Sequence, residues 1–323
     1  MEIIKVRNLV KRYNGLTAVD HISFSVEKGE IFGFLGPNGA GKTTTINILS
    51  TLLAPTQGEV YVNNFNVLTQ KNQVRKSIGL VFQDPSLDDR LTAEENLYFH
   101  ARLYHVSHSE YQKKKEEVLR LVELWDRRKD IVKTFSGGMK RRLEIARGLI
   151  HHPAVLFLDE PTLGLDPQTR SHLWDYILRL KAEKEMTIFM TTHYMNEADY
   201  CDRLIIIDYG KIVGFDTPAN LKKAVGGDII ILGSPQPQQL KQELAQKYAL
   251  AAKEENGTIM VEINNGKTFL PRLFEELQTQ VTSVSLREPT LDDVFLHLTG
   301  RKIREEEATP LDRMRQHHFR RRR

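Results

Sequence analysis

The first chemical signal is a run of eight residues, Gly36-Pro37-Asn38-Gly39-Ala40-Gly41-Lys42-Thr43, with the spacing G-x-x-x-x-G-K-[ST]. Glycines at these positions let the backbone bend until successive N–H groups point inward at phosphate oxygens. Lys42 suits the β- and γ-phosphates, the Thr43 hydroxyl is a ligand for Mg2+, and Thr44 continues the same turn. The chemistry implied is the binding of a nucleoside triphosphate with its Mg2+. A second signal is Asp159-Glu160, at the end of the apolar run Val155-Leu156-Phe157-Leu158. Asp159 is placed to hold Mg2+, and Glu160 to act as general base, or to orient water, for attack on the γ-phosphate. A charged strand end is ordinary by itself. Paired with a phosphate loop it becomes a catalytic expectation.

Both groups need a sheet whose strands end at one crevice. Ile31 to Leu35 reads as a strand feeding the loop, and a helix from about Gly41 to Leu53 aims its N-terminal dipole at the phosphates. Further strands are predicted at Ile22–Val26, Gly58–Val62, Ile78–Phe82, Val155–Leu158, Thr187–Thr191 and Leu204–Asp208. Between them, Glu94–Tyr104 and Tyr111–Leu124 have helical periodicity with many charges. The expectation is an α/β domain over residues 1–220, a mostly parallel core sheet interrupted by a helical insert at about 85–150. After Pro218 the texture changes. A strand at Asp228–Leu232, a helix at Gln238–Ala249, a hairpin turning at Asn256-Gly257, a helix at Thr268–Gln280 and a strand at Val281–Arg287 follow. That order, βαββαβ, predicts a small α+β ferredoxin-like domain over residues 226–300, whose acids and lysines read as solvated faces. A last helix, Thr290–Leu298, precedes a charged, flexible tail at 301–323.

Other residues fall into a familiar order. Phe135-Ser136-Gly137-Gly138-Met139 precedes the helical run Lys140 to Arg147 and places Ser136 23 residues before Asp159. Ser136 is a good N-cap, Gly137 and Gly138 permit close backbone approach, and the helix start offers a second anion site. Gln83 follows a strand, Leu165-Asp166 follows the acidic pair, and His193 follows the strand at Thr187–Thr191. Singly, Gln83 is a loop amide, His193 a partly buried ring and Tyr13 a surface aromatic. Together they resemble the ABC ATPases: Ser136 to Gly138 the signature, Gln83 the Q-loop residue, Asp166 the D-loop, His193 the switch histidine and Tyr13 the aromatic stacked on adenine. The segment Arg287-Glu288-Pro289-Thr290-Leu291-Asp292-Asp293-Val294-Phe295 is similar to the C-terminal segment of the daunorubicin-resistance branch, which serves ABC-2 type permeases. Met139 and Phe135 depart from the general signature in the manner of that branch.

The resemblance implies ATP as nucleotide, Mg2+ ligated by Thr43, Gln83 and Asp159, and hydrolysis by Glu160, His193, Gln83 and Lys42. It also implies a second ATPase chain, in a homodimer or heterodimer, whose Ser136, Gly137, Gly138 and Asp166 complete the site. Such a pair would drive a separate multi-spanning permease, exporting a drug, antibiotic, lipid or polysaccharide, from the cytoplasmic face of the membrane. The alternative is a non-transport ABC ATPase of translation, repair or assembly. One cassette, and an insert too short for a long coiled coil, weigh against it.

Composition agrees with a globular chain: 40% hydrophobic and 27% charged over 323 residues. The single cysteine, Cys201, allows no internal disulfide and fits a reducing compartment. Apolar runs such as Ala154–Leu158 and Leu204–Ile207 are too short to span a bilayer, and the charged Met1–Tyr13 lacks a signal-peptide core. The net charge of +4 is misleading. The six arginines and one aspartate of residues 312–323 contribute +5, leaving −1 for residues 1–311. With no basic stripe on the body, nucleic acid is not expected, whereas the basic tail suits anionic lipid.

Overall fold

The computed structural model describes residues 1–300 apart from 85 and 256. The expected turn residue Asn256, the insert's first residue Pro85 and the tail at 301–323 therefore lie outside the described residues. The chain divides into two compact units, with the break between Phe215 and Asp216.

In the first unit, β1 (Glu2–Tyr13) and β2 (Leu16–Glu27) precede β3 (Ile31–Leu35) and α1 (Lys42–Leu49). Then come β4 (Gln57–Val62), β5 (Phe65–Asn66), α2 (Lys71–Ser77) and β6 (Ile78–Val81). The helices α3 (Ala93–Leu103), α4 (His108–Leu121) and α5 (Gly137–Leu149) separate β6 from β7 (Val155–Asp159). The unit closes with α6 (Pro167–Lys184), β8 (Thr187–Thr192), α7 (Met195–Ala198), β9 (Arg203–Asp208) and β10 (Lys211–Asp216).

Six strands form the central sheet in the order β10-β9-β3-β8-β7-β6. β3, β7 and β8 are buried at every residue, as strands covered on both faces must be, which explains their unbroken apolar runs. All pairings from β9 through β6 are parallel, so these strands end on one edge. Register then does the positioning. Leu35, the last residue before the phosphate loop, lies opposite Thr192, and Asp159 lies opposite Thr191. The loop, the acidic pair and His193 emerge side by side.

A second, antiparallel sheet, β2-β1-β4-β5, packs against α1 and the central sheet. Phe24 stacks on Phe32 and lies near Phe189, with ring centroids 5.7 and 6.2 Å apart. The sequence reading assigned no strand to Met1–Tyr13, where the structure has β1. Ile4, Val6, Leu9 and Val10 are buried while Arg7 and Asn8 between them are exposed, a one-faced strand whose register shifts break its alternation. α6 was not anticipated either, although Asp166-Pro167 is a helix-start pair: the Asp166 carboxylate caps Thr169 N at 2.9 Å, with Pro167 at the first helical position.

The second unit opens with α8 (Pro218–Val225), followed by β11 (Asp228–Gly233), α9 (Pro237–Tyr248), β12 (Ala252–Glu255) and β13 (Thr258–Ile263). It ends with α10 (Gly266–Glu276), β14 (Ser283–Arg287) and α11 (Leu291–Thr299). Its sheet order is β12-β13-β11-β14, with every pair antiparallel, which is the ferredoxin-like arrangement. Leu240, Leu244 and Leu273 from the helices pack on Ile230, Leu232, Ile259 and Val261. Not all of its acids are solvated faces. The Glu243 carboxylate accepts from Gln278 N (2.8 Å), Thr279 N (2.9 Å) and Lys247 Nζ (2.7 Å), binding α9 to the chain after α10.

Candidate active site

The loop after β3 closes tightly on its surroundings. A Cβ on Gly36 would lie 2.4 Å from the Ile207 carbonyl oxygen, and Gly41, at φ 110°, leaves no room beside Ala18 O. Only glycine meets both demands. Asn38 and Gly39 are exposed at the loop's crest, with Pro37 half-buried and Ala40 buried beneath. α1 begins at Lys42, so its unpaired N–H groups face the loop's interior.

Lys42 is almost fully buried and folded back on its own loop. Its Nζ donates to Gly36 O at 2.7 Å and Pro37 O at 3.1 Å, and lies 3.2 Å from Glu160 Oε1. Burial pulls its pKa below the ordinary lysine value, offset in part by the charges of Glu160 and Asp159. The Glu160 carboxylate is the hub. Besides Lys42 it meets His193 Nδ1, 3.3 Å from Oε1, and Gln83 Nε2, 3.4 Å from Oε2. The His193 contact has ion-pair distance but not hydrogen-bond alignment. Burial pushes the Glu160 carboxyl up, but His193 and Lys42 outweigh it and hold the group below the usual carboxylate range.

Asp159 behaves oppositely: burial raises its pKa, against hydrogen bonds from Thr191 and Thr43. The Thr191 hydroxyl serves both acids, donating to Asp159 Oδ1 and accepting from Glu160 N at 3.1 Å. Tyr13, at the end of β1, is half-buried, which raises its phenol pKa, and hydrogen-bonds the Thr44 side chain. Lys42, Thr43, Gln83, Asp159, Glu160 and His193 are thus brought into one cluster, with Tyr13 and Thr44 forming a pair beside it.

Ser136, Gly137, Gly138 and Asp166 are not part of that cluster. Ser136 Oγ accepts from Met139 N at 3.3 Å, capping α5. A Cβ on Gly138 would lie 2.3 Å from Thr169 Cγ2, so α5 and α6 meet at their N-termini. The side chains of Ser136 and Asp166 are exposed and engaged in local caps.

Two sets of supporting residues escaped the sequence reading. Glu197, fully buried, accepts from Thr192 Oγ1 at 2.7 Å and from the Thr162 hydroxyl, bracing the turn that carries His193. Arg141, also buried, donates to the carbonyl oxygens of Phe82, Asp159, Glu160 and Pro161. Only an unusual basic residue on the buried face of an amphipathic helix could have signalled it.

Comparison with known proteins decides the class. Residues 19–163 match the ABC transporter family, and residues 217–299 match the C-terminal domain of DrrA1-3-like ATP-binding proteins. The linearmycin resistance ATP-binding protein LnrL of Bacillus subtilis is 38% identical over 94% of this chain and 100% of its own length. The chain belongs to the ABC transporter ATP-binding subunits. Within them it is similar to ATP-binding proteins named for drug resistance. The daunorubicin/doxorubicin resistance ATP-binding protein DrrA of Streptomyces peucetius is 37% identical, covering 92% of both chains. A dimeric ATP-binding cassette solved in a post-hydrolysis state with ADP and Pi superposes with a TM-score of 0.60 at 30% identity, covering 66% of this chain and 98% of that one. This ABC subunit is accordingly an ATP-binding, ATP-hydrolysing cassette, and the non-transport alternative is not favoured. Among the described residues no helix is long and apolar enough to cross a membrane.

Proposed function

We propose that this chain powers an exporter by hydrolysing ATP at a site shared between two copies. The observation that carries the reading is the convergence of Lys42, Gln83 and His193 on one buried carboxylate, Glu160, beside the phosphate loop. Lys42 is held by that carboxylate and by loop carbonyls. Incoming phosphates offer it stronger acceptors and free Glu160 for water. With its pKa held low, Glu160 is ionised at neutral pH and can accept a hydrogen bond from the attacking water, while His193 faces the γ-phosphate.

Mg2+ suits the donors present. The Thr43 hydroxyl, the Asp159 carboxylate and the Gln83 amide are hard oxygen ligands, and Thr43 already hydrogen-bonds Asp159. When bound, Mg2+ would neutralise charge on the β- and γ-phosphates. Thr44 and the N–H groups from Gly36 to Gly41 would hold the remaining phosphate oxygens, and Tyr13 would stack on adenine.

Ser136 and Asp166 are exposed helix caps, and with Gly137 and Gly138 at the start of α5 they take no part in the Lys42 cluster, which suits them to a partner chain's nucleotide. A homodimer closing on ATP and loosening after hydrolysis would pass motion through α3 to α5 to a separate membrane-spanning permease. That permease places the subunit at the cytoplasmic face of the membrane. The two relatives named for antibiotic resistance support a drug-like cargo, and the unit beginning at Asp216 serves as an accessory domain. The test is Glu160→Gln, which should abolish ATP turnover and trap an ATP-bound dimer by size-exclusion chromatography with light scattering. Turnover at the wild-type rate would refute the assignment.

A further inference from the structure

Arg141 lies one and a half turns into the helix that Ser136 caps, on its buried face. A guanidinium has five N–H donors. All are satisfied: Nε donates to Pro161 O at 2.7 Å, Nη2 to Asp159 O and Glu160 O, each at 3.1 Å, and Nη1 to Phe82 O at 2.5 Å and Glu144 Oε2 at 3.0 Å. Four of these acceptors are backbone carbonyls, and they bracket both groups that reach the reacting phosphate. Asp159, Glu160 and Pro161 are the catalytic carboxylate residue and its neighbours, and Phe82 precedes Gln83.

Two further observations give this grip a purpose. Glu160 sits at φ 45°, in the left-handed region that a β-carbon disfavours. Its N–H is fixed by Thr191 and its carbonyl by Arg141, so the strained residue is held from both sides. The next residues on the same helix face continue the hold on the Gln83 loop. Glu144 Oε1 accepts from Ser86 N at 2.8 Å, and Arg147 Nη1 donates to Ser86 O at 2.6 Å. At spacings of three along α5, Arg141, Glu144 and Arg147 hold the chain on either side of Gln83.

We infer that Arg141 is a positioning residue that holds Glu160 and Gln83 in reacting geometry and ties both to the signature helix. The inference rests on the proposed role of Glu160. In the two-chain site the capped end of α5 meets the partner's nucleotide, while Arg141, on the same rigid element, sets the chain's own Glu160. Seating of the helix on one nucleotide is thereby transmitted to the other. No atom of Arg141 approaches the phosphate loop in its hydrogen bonds, so its loss should spare ATP binding and impair turnover.

The experiment measures ATPase kinetics of the full chain. Arg141→Lys keeps the charge but cannot reach five acceptors. It should lower kcat by about 10- to 100-fold, as a misplaced catalytic group does, with KM for ATP within about 2-fold of wild type. Unchanged kcat, or a raised KM with kcat intact, overturns the inference. The decisive readout is the same substitution in a Glu160→Gln background, by single-turnover cleavage of radiolabelled ATP. Because Glu160 is one of the two groups that Arg141 holds, Arg141→Lys should cost clearly less in this background than in the wild type, the share acting through Gln83 remaining. Losses that multiply in full contradict it. Should Arg141→Lys fail to fold, the pair Arg141→Gln with Glu144→Gln removes both members of that buried ion pair together and should show the same fall in kcat at unchanged KM. Wild-type turnover in that pair overturns the inference. Failure of the Glu160 reading is distinguishable, because Glu160→Gln alone would then hydrolyse ATP normally.

Discussion

Removing the Glu160 charge should cost the nucleotide-free chain stability that ATP then restores. The Lys42 ammonium has 4% of its side chain exposed, and Glu160 Oε1 stands 3.2 Å away. Depriving a buried ion of its partner costs about 3–5 kcal/mol. Glu160→Gln should fall below that range. The glutamine oxygen and the carbonyls of Gly36 and Pro37 still accept from Lys42, and the burial of a carboxylate is relieved. A net cost of roughly 1–3 kcal/mol remains. For a unit of this size that lowers Tm by roughly 2–12 °C. Differential scanning calorimetry of both chains, without nucleotide and with a saturating non-hydrolysable ATP analogue, reads the effect directly. The gap should close with the analogue, whose phosphates replace the carboxylate as partners of Lys42. It should also close in acid. Because the Glu160 pKa is lowered in the fold, its contribution is complete above the ordinary value of 4.5 and is lost as pH falls through its folded value. Coincident nucleotide-free transitions at neutral pH would refute the claim that Glu160 holds Lys42 before ATP arrives.

Three further outcomes follow from single contacts. Gly36→Ala forces a Cβ to 2.4 Å from the Ile207 carbonyl, so equilibrium binding of a fluorescent ATP analogue should be lost; wild-type affinity would contradict the close approach. Thr191→Val removes the hydroxyl joining Asp159 to the Glu160 N–H, a loss of about 1–3 kcal/mol in a buried network, and should lower both Tm and kcat. Glu243, held at a pKa of about 2 against its own burial by Lys247, Thr279 and Gln278, stabilises the second unit fully above pH 4.5. That contribution disappears as pH falls from 4.5 toward about 2, and Glu243→Gln should flatten the corresponding part of an acid-unfolding profile.

What the sequence made legible was local backbone pattern. The glycine loop before α1, the acidic end of β7 and the capped glycines of α5 each announce themselves within a few residues, because tight turns, strand ends and helix caps restrict residue type there. Parallel strands were legible for a related reason: burial on both faces leaves an unbroken apolar run, as in Val155 to Leu158. β1 was missed because it is buried on one face only, carries charges on the other, and shifts register at Val6 to Leu9. Convergence on Glu160 was also hidden, since Gln83, Glu160 and His193 come from separate strand ends and only the sheet order adjoins them. Arg141 was least visible of all. Its partners are backbone carbonyls, which leave no trace in residue identity.

The shared site can be tested by mixing two inactive chains, one with Lys42→Ala and one with Ser136→Arg. In a hybrid dimer both lesions fall on one site, and the other pairs an intact Lys42 with an intact Ser136. ATP hydrolysis by the mixture should therefore rise well above that of either chain alone. A mixture no more active than the average of its two components would contradict a site built from two chains.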